Sequence, residues 1–152
     1  MSAAIRQAEP EDRDRIVLFN QALARETEGR VLDRSRLTAG VERMLSDSSM
    51  GRYFVAEESG EIVAQLAVTV EWSDWRNAEI WWIQSVYVAR SHRRQGMYRQ
   101  LHEHIRDLAR ASGVAGLRLY VERDNEAAQG TYESLGMQRS PYVMYDEYWP
   151  GN

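Results

Sequence analysis

A nine-residue, largely apolar run, IWWIQSVYV over 80–88, passes through the arginine-rich turn ARSHRRQG into a helix-like segment. A run this short, rich in β-branched and aromatic side chains and bounded by turn residues, reads as a strand. Beyond it, Met97, Leu101, Ile105 and Leu108 recur at near-helical spacing, which predicts a helix over 96–112 with one apolar face turned inward. Arg90, Arg93, Arg94 and Arg99 fall in the turn and the first helical residues with no acid between Arg90 and Arg99, although the formal net charge of the chain is -4. The first turn of a helix leaves backbone N–H groups without partners, and the positive end of the helix dipole lies there. With guanidinium groups beside them, these donors suit a phosphate or pyrophosphate, and Gly96 lets the backbone approach the anion without a Cβ in the way. A basic loop that merely ends a strand is the alternative reading of this segment taken by itself.

At 152 residues the chain is long enough for one sizeable core and short for two, so a single domain over 1–152 is expected. Hydrophobic residues at 43% beside 28% charged describe a globular rather than a disordered chain. No apolar run approaches membrane-spanning length and the N-terminal stretch has no signal-peptide core, which makes a cytoplasmic location the expectation. There is no cysteine, which excludes disulfides, thiolate metal sites and a cysteine nucleophile. All 19 positive side chains are arginine, so a lysine nucleophile or Schiff base is excluded as well. His102 and His104 stand two apart on a helix and share no face, and His92 lies in the basic turn, so no metal site is expected.

Along the chain, strands are predicted over 4–8, 53–57, 62–71, 80–88, 117–121 and 143–148, and helices over 12–26, from a cap at Asp33 or Ser35 through Leu45, over 96–112, and from a cap at Asp124 or Asn125 to Gly136. Ser59-Gly60 reads as a hairpin turn, 72–77 as a polar and aromatic loop, and Gly113 as the left-handed stop of the long helix.

Two motifs carry a resemblance. Arg93-Arg94-Gln95-Gly96-Met97-Tyr98 resembles the (Q/R)-x-x-G-x-(G/A) signature of the GNAT superfamily of N-acyltransferases. Asn125 to Tyr132, followed by Leu135-Gly136, is similar to that superfamily's N-x-x-A-x-x-x-Y element at the expected distance. The resemblance implies a mixed α/β fold with a mostly antiparallel sheet of six or seven strands and four helices. It implies acetyl-coenzyme A as cosubstrate, no metal, and direct transfer of the acetyl group to a primary amine of a small molecule.

The resemblance also assigns roles. The diphosphate of the cofactor would sit on Arg93, Arg94, Gln95, Gly96, Met97, Tyr98 and Arg99, and the pantetheine arm would lie along Val86, Tyr87 and Val88, with an amide near Val86 or Tyr87 as oxyanion donor. The strand over 117–121 would splay away to leave room. Asn125, Ala128 and Tyr132 would also contact the cofactor, and Tyr132 would protonate the departing thiolate, since a phenol is protonated at neutral pH. Tyr98 departs from the signature, so its bulk must point away from the phosphates. Gln84 stands where several relatives carry a glutamate base, and an amide cannot take the proton. Glu71 or Glu79 acting through water, with Gln84 holding that water, is the expected substitute. Glu26, Glu28, Trp72, Asp74 and Trp75 would favour a cationic acceptor. A silent acyl-coenzyme A binder and acetylation of a protein amine stay open as alternatives, and the acidic pI near 5.4 speaks against a nucleic-acid partner. Four aromatic residues between Tyr142 and Trp149 leave a homodimer open.

Overall fold

The computed structural model describes residues 3–152. By contact density the chain divides into residues 1–119 and residues 120–152. The first unit carries β1 (Ala4–Gln7), α1 (Arg13–Glu28), α2 (Arg34–Ser46), β2 (Arg52–Glu58), β3 (Glu61–Ser73), β4 (Ala78–Val88), α3 (Met97–Ala111) and β5 (Gly116–Arg118); the second carries α4 (Glu126–Ser134).

The five strands form one sheet in the order of the chain. β1 to β4 are antiparallel neighbours, and β5 joins β4 in parallel after the α3 crossover. Helices cover both faces, so the central strands are apolar on both sides rather than alternating. On one face Phe54, Leu66, Val68, Trp81 and Ile83 pack with Met97, Leu101, Ile105 and Ala109 of α3. On the other, Tyr53 and Ala67 pack with Ile16, Val17 and Val41, and Val55, Ile62 and Tyr87 with Phe19. The near-helical spacing of Met97, Leu101 and Ile105 thus does what it predicts.

Helix boundaries follow local chemistry. α1 stops at Gly29, whose φ of 63° is left-handed. Asp33 caps α2 by accepting from Arg36 N at 3.2 Å, which decides between the two predicted caps. Gly113 has φ 74° just beyond α3, as expected of a stop. Within residues 120–152, Asn125 caps α4 by accepting from Ala128 N at 3.1 Å, and Gln129 spans back to the carbonyls of Glu122 and Arg123.

Two expectations need correction. The sheet has five strands, not six or seven, because 143–148 joins no ladder among the described residues. Strand propensity is realised against a neighbouring strand, and here Tyr145 is 96% exposed with Tyr142, Tyr148 and Trp149 exposed beside it. The 72–77 segment is also less of a loop than expected. The β3–β4 ladder continues through Trp72↔Glu79 and Ser73↔Ala78, so only a short turn remains at the hairpin tip.

One buried group in α3 has a definite protonation state. His102 is 0% exposed; Arg106 reaches its Nε2 at 3.1 Å and Tyr98 Oη lies 3.1 Å from its Nδ1. Guanidinium only donates, so Nε2 accepts and Nδ1 carries the hydrogen. Burial, and next the Arg106 charge, push the imidazole pKa from 6.5 down to about 4. The unfolded chain therefore takes up a proton at this residue before the folded one does, and stability falls as pH drops from 6.5 towards 4, by up to roughly 3 kcal/mol. Urea denaturation of wild type and His102→Gln at pH 4.5 and 7.5 should show a smaller loss between the two pH values in the variant. An equal loss would remove His102 from the acid response.

Candidate functional site

The site is built on an unequal sharing of β4. Its β3 side is paired from Ala78 to Val88, whereas its β5 side is paired only at Ile80, Trp81 and Trp82. Beyond Trp82 that ladder stops, leaving six residues of β4 with one edge unclaimed by a strand among the described residues. Ala89 N donates to Val63 O on the β3 side at 2.8 Å. Alternation then turns Tyr87 towards β3 and Val86 and Val88 towards the free edge. The outward donor is therefore Val86 rather than Tyr87.

A bulge sits at the same place. The register slips by one residue between Ala67↔Gln84 and Gln65↔Tyr87, and Ser85 takes φ 52°. A non-glycine residue in the left-handed region is uncommon and costs of order 1 kcal/mol. The bulge lets Tyr87 return to the α1 face while Val86 and Val88 line the other.

At the end of β4 the chain enters the predicted anion seat. Gly96, with φ 76°, precedes α3, and no side chain caps the first turn. The N–H groups of Met97, Tyr98 and Arg99 therefore lie ahead of the first intrahelical bond, from Gln100 N to Gly96 O. Met97 is buried in the core and fixes the helix start against the sheet. Tyr98 directs its hydroxyl one turn into the helix, to His102, so its bulk does not narrow the mouth.

The charge at the mouth is less than the sequence implies. Arg93 Nη2 pairs with Glu26 Oε1 at 2.8 Å while its Nε donates to Val88 O at 2.9 Å. Arg90 lies 3.7 Å from the same carboxylate, and Arg99 pairs with Glu103 at 3.5 Å. Among the described residues, Arg94 alone of the four arginines has no carboxylate partner, and it holds φ 62°. Glu26 also accepts from Tyr87 Oη at 2.6 Å. Chiefly that hydroxyl, and then Arg93 and Arg90, hold the Glu26 carboxyl below its usual range against the opposing effect of burial. Burial first and Glu26 next push the Tyr87 phenol up. Glu26 is thus committed to bracing the seat, not free for a cationic acceptor.

The expected bases lie elsewhere. Glu79 accepts from Trp81 Nε1 at 3.0 Å, and Glu71 from Trp82 Nε1 and Arg118 at 2.8 Å each. At about 3.3 Å per residue, Glu79 is some 20 Å along β4 from Val86, beyond the reach of one bridging water. Trp72 and Trp75 share that far end, Trp75 being 87% exposed. Gln84 stands one residue before the bulge. Its Nε2 donates to Thr69 Oγ1 at 2.8 Å, and no donor to its carbonyl is seen among the described residues. In the second unit, Tyr132 lies on α4 with Asn125 and Ala128 at the start of that helix, and burial pushes its phenol up, which keeps it protonated at neutral pH. Among the described residues no group of three or more His, Cys, Asp or Glu side chains is arranged to hold a metal ion, and no helix is long and apolar enough to cross a membrane.

Sequence reasoning missed the bulge and the residues beneath it, Asn20, Tyr53 and Gln65. The one available signal was Gln65, a polar residue inside the apolar run IVAQLAV.

Residues 13–137 match the model of the acetyltransferase (GNAT) family. No curated protein matches the chain. Among solved structures, a possible acetyltransferase from Clostridium difficile 630 is 43% identical, with a TM-score of 0.91 over 98% of this chain and 99% of that one. An aminoglycoside acetyltransferase from an uncultured soil metagenomic sample, 24% identical with a TM-score of 0.77 over 98% and 99%, shares the fold. So does a ribosomal-protein-alanine N-acetyltransferase from Brucella melitensis biovar Abortus 2308, 17% identical with a TM-score of 0.80 over 97% and 99%.

Replacing Arg94 by asparagine separates charge from backbone at the mouth, because asparagine tolerates the left-handed conformation. Arg94→Asn should leave the thermal midpoint within about 2 °C, as a surface change does, and weaken binding of inorganic pyrophosphate severalfold in calorimetry. Unchanged affinity would show that the amides alone hold the anion.

Proposed function

The chain belongs to the GNAT acetyltransferase family, and we propose that it transfers the acetyl group of acetyl-coenzyme A directly to a primary amine of a small molecule. The observation that carries this reading is the half-paired β4, whose free edge runs into an uncapped helix mouth.

In this reading the diphosphate takes the amides of Gln95, Gly96, Met97, Tyr98 and Arg99, with Arg94 supplying the unshared positive charge. Arg93 acts from behind: held by Glu26 and by the Val88 carbonyl, it ties the loop to the strand. The pantetheine arm lies along Val86, Tyr87 and Val88 in place of a strand. Val86 N–H meets the thioester oxygen as negative charge develops on it. The Gln84 carbonyl accepts from the acceptor amine and aims its lone pair, and the amine arrives neutral, its proton going to solvent water. The amine nitrogen bonds to the acetyl carbon, the C–S bond breaks as Tyr132 gives its proton to the leaving thiolate, and the proton that the new amide nitrogen sheds returns through water to the Tyr132 phenolate. By the resemblance, Asn125 and Ala128 are also assigned to the cofactor.

A small amine fits a β4 that carries the amide of Gln84 before the bulge, with Glu26 already engaged by Tyr87 and Arg93. Without a strong base, the amine that reacts is the fraction free of its proton, so turnover should rise with pH until the acceptor's own pKa is passed. The silent-binder reading draws on the same observation, since Gln84 cannot take a proton.

Thermal shift with acetyl-coenzyme A and coenzyme A tests the cofactor, and thiol release over a panel of amines tests the reaction. With no cysteine in the chain, a thiol reagent reads only the released cofactor. Stabilisation by acetyl-coenzyme A without turnover of any amine would favour the silent binder, and turnover of peptide N-termini alone would move the acceptor to a protein. Tyr132→Phe should slow turnover roughly 100-fold with coenzyme A affinity kept. Gly96→Asp should weaken cofactor binding, placing a like charge and a strained φ at the mouth.

A further inference from the structure

Beneath the bulge runs a buried polar chain that joins four elements. Gln65 of β3, 0% exposed, directs its Nε2 at Ser85 O (3.0 Å) and at Asn20 Oδ1 of α1 (3.2 Å), and Asn20 Nδ2 reaches Tyr53 Oη of β2 at 3.2 Å. The orientation of each amide is determined. A backbone carbonyl only accepts, so the NH2 of Gln65 must face Ser85; Asn20 must then present its oxygen to Gln65 and its NH2 to Tyr53.

This arrangement leaves Gln65 Oε1 buried with no hydrogen-bond partner. An orphaned acceptor in a core is destabilising, and leucine or methionine would fill the same space without it. What the glutamine supplies in return is a donor for the Ser85 carbonyl, which the bulge has turned out of the ladder. The carbonyl of Ser85 and the N–H of Val86 belong to one planar trans peptide unit, in which C=O and N–H point in opposite directions. Holding the carbonyl towards β3 and the α1 face therefore aims the Val86 N–H away from β3, at the free edge.

We propose that Gln65, braced by Asn20 and Tyr53, is a positioning residue for the oxyanion donor. It fixes the plane of the 85–86 peptide and so the direction of Val86 N–H. The inference rests on the acyl-transfer reading for its kinetic consequence, but its structural content stands apart from that reading.

The test uses full-length protein and the variant Gln65→Met, which keeps length and volume and removes both the donor and the orphaned oxygen. Expected are a modestly lower thermal midpoint, because Asn20 Oδ1 and the Ser85 carbonyl both lose their donor while one orphaned oxygen is removed, with unchanged affinity for coenzyme A and a kcat about 10- to 100-fold lower at a nearly constant KM for acetyl-coenzyme A. A merely structural role would instead lower stability with kcat kept, or raise KM. Gln65→Leu, which folds by the same argument, should reproduce the kinetic split. In parallel, nitrogen-15 spectra and hydrogen exchange of both variants without ligand should show the Val86 amide shifted and exchanging faster than in wild type, with amides of α3 unchanged. An unmoved Val86 amide overturns the proposal whatever the kinetics. If wild type turns over no amine at all, the acyl-transfer reading falls, and the Val86 amide still decides this inference.

Discussion

The uneven pairing of β4 is the constraint on which the rest of the molecule depends. A backbone N–H or C=O removed from water needs a partner, and along 83–88 the described residues offer strand partners on the β3 side alone. Everything near the site answers that shortage in some way. Arg93 takes the Val88 carbonyl, Gln65 takes the Ser85 carbonyl, and the amides of Val86 and Val88 face the edge that no strand among the described residues takes. The bulge makes this division workable by spending one residue to change which face the strand shows.

The electrostatics follow the same economy. Glu26 receives a phenol and two guanidinium groups, so a single carboxylate from α1 fastens the last turn of that helix to the end of β4 and to the loop beyond it. The proposed phosphate seat is thus not a loose cluster of positive charge. It is an array of backbone donors with most nearby arginines already neutralised, which suits selective recognition of a diphosphate better than indiscriminate attraction to polyanions.

The parts legible in the sequence were those in which one local pattern sufficed. Met97, Leu101 and Ile105 announced both the helix and its buried face, Gly29 and Gly113 marked helix ends, and the 93–98 signature located the mouth. What escaped depended on pairs distant in the chain. Nothing about serine foretells φ 52° at Ser85; that conformation comes from the slip between β3 and β4. Glu71 and Glu79 looked available because the length of the hairpin was not evident, and only the ladder through Trp72↔Glu79 shows them at its far end, engaged by indoles. The 143–148 run had strand-like residues and forms no strand among the described residues.

The turn of Tyr98 along α3 towards His102 has a bearing on how such chains are sought. Where that hydroxyl can be led down the helix barrel, the position beside the mouth no longer demands a minimal side chain. A search pattern insisting on glycine or alanine there would pass over this chain and any kin sharing the same tyrosine and histidine four residues apart.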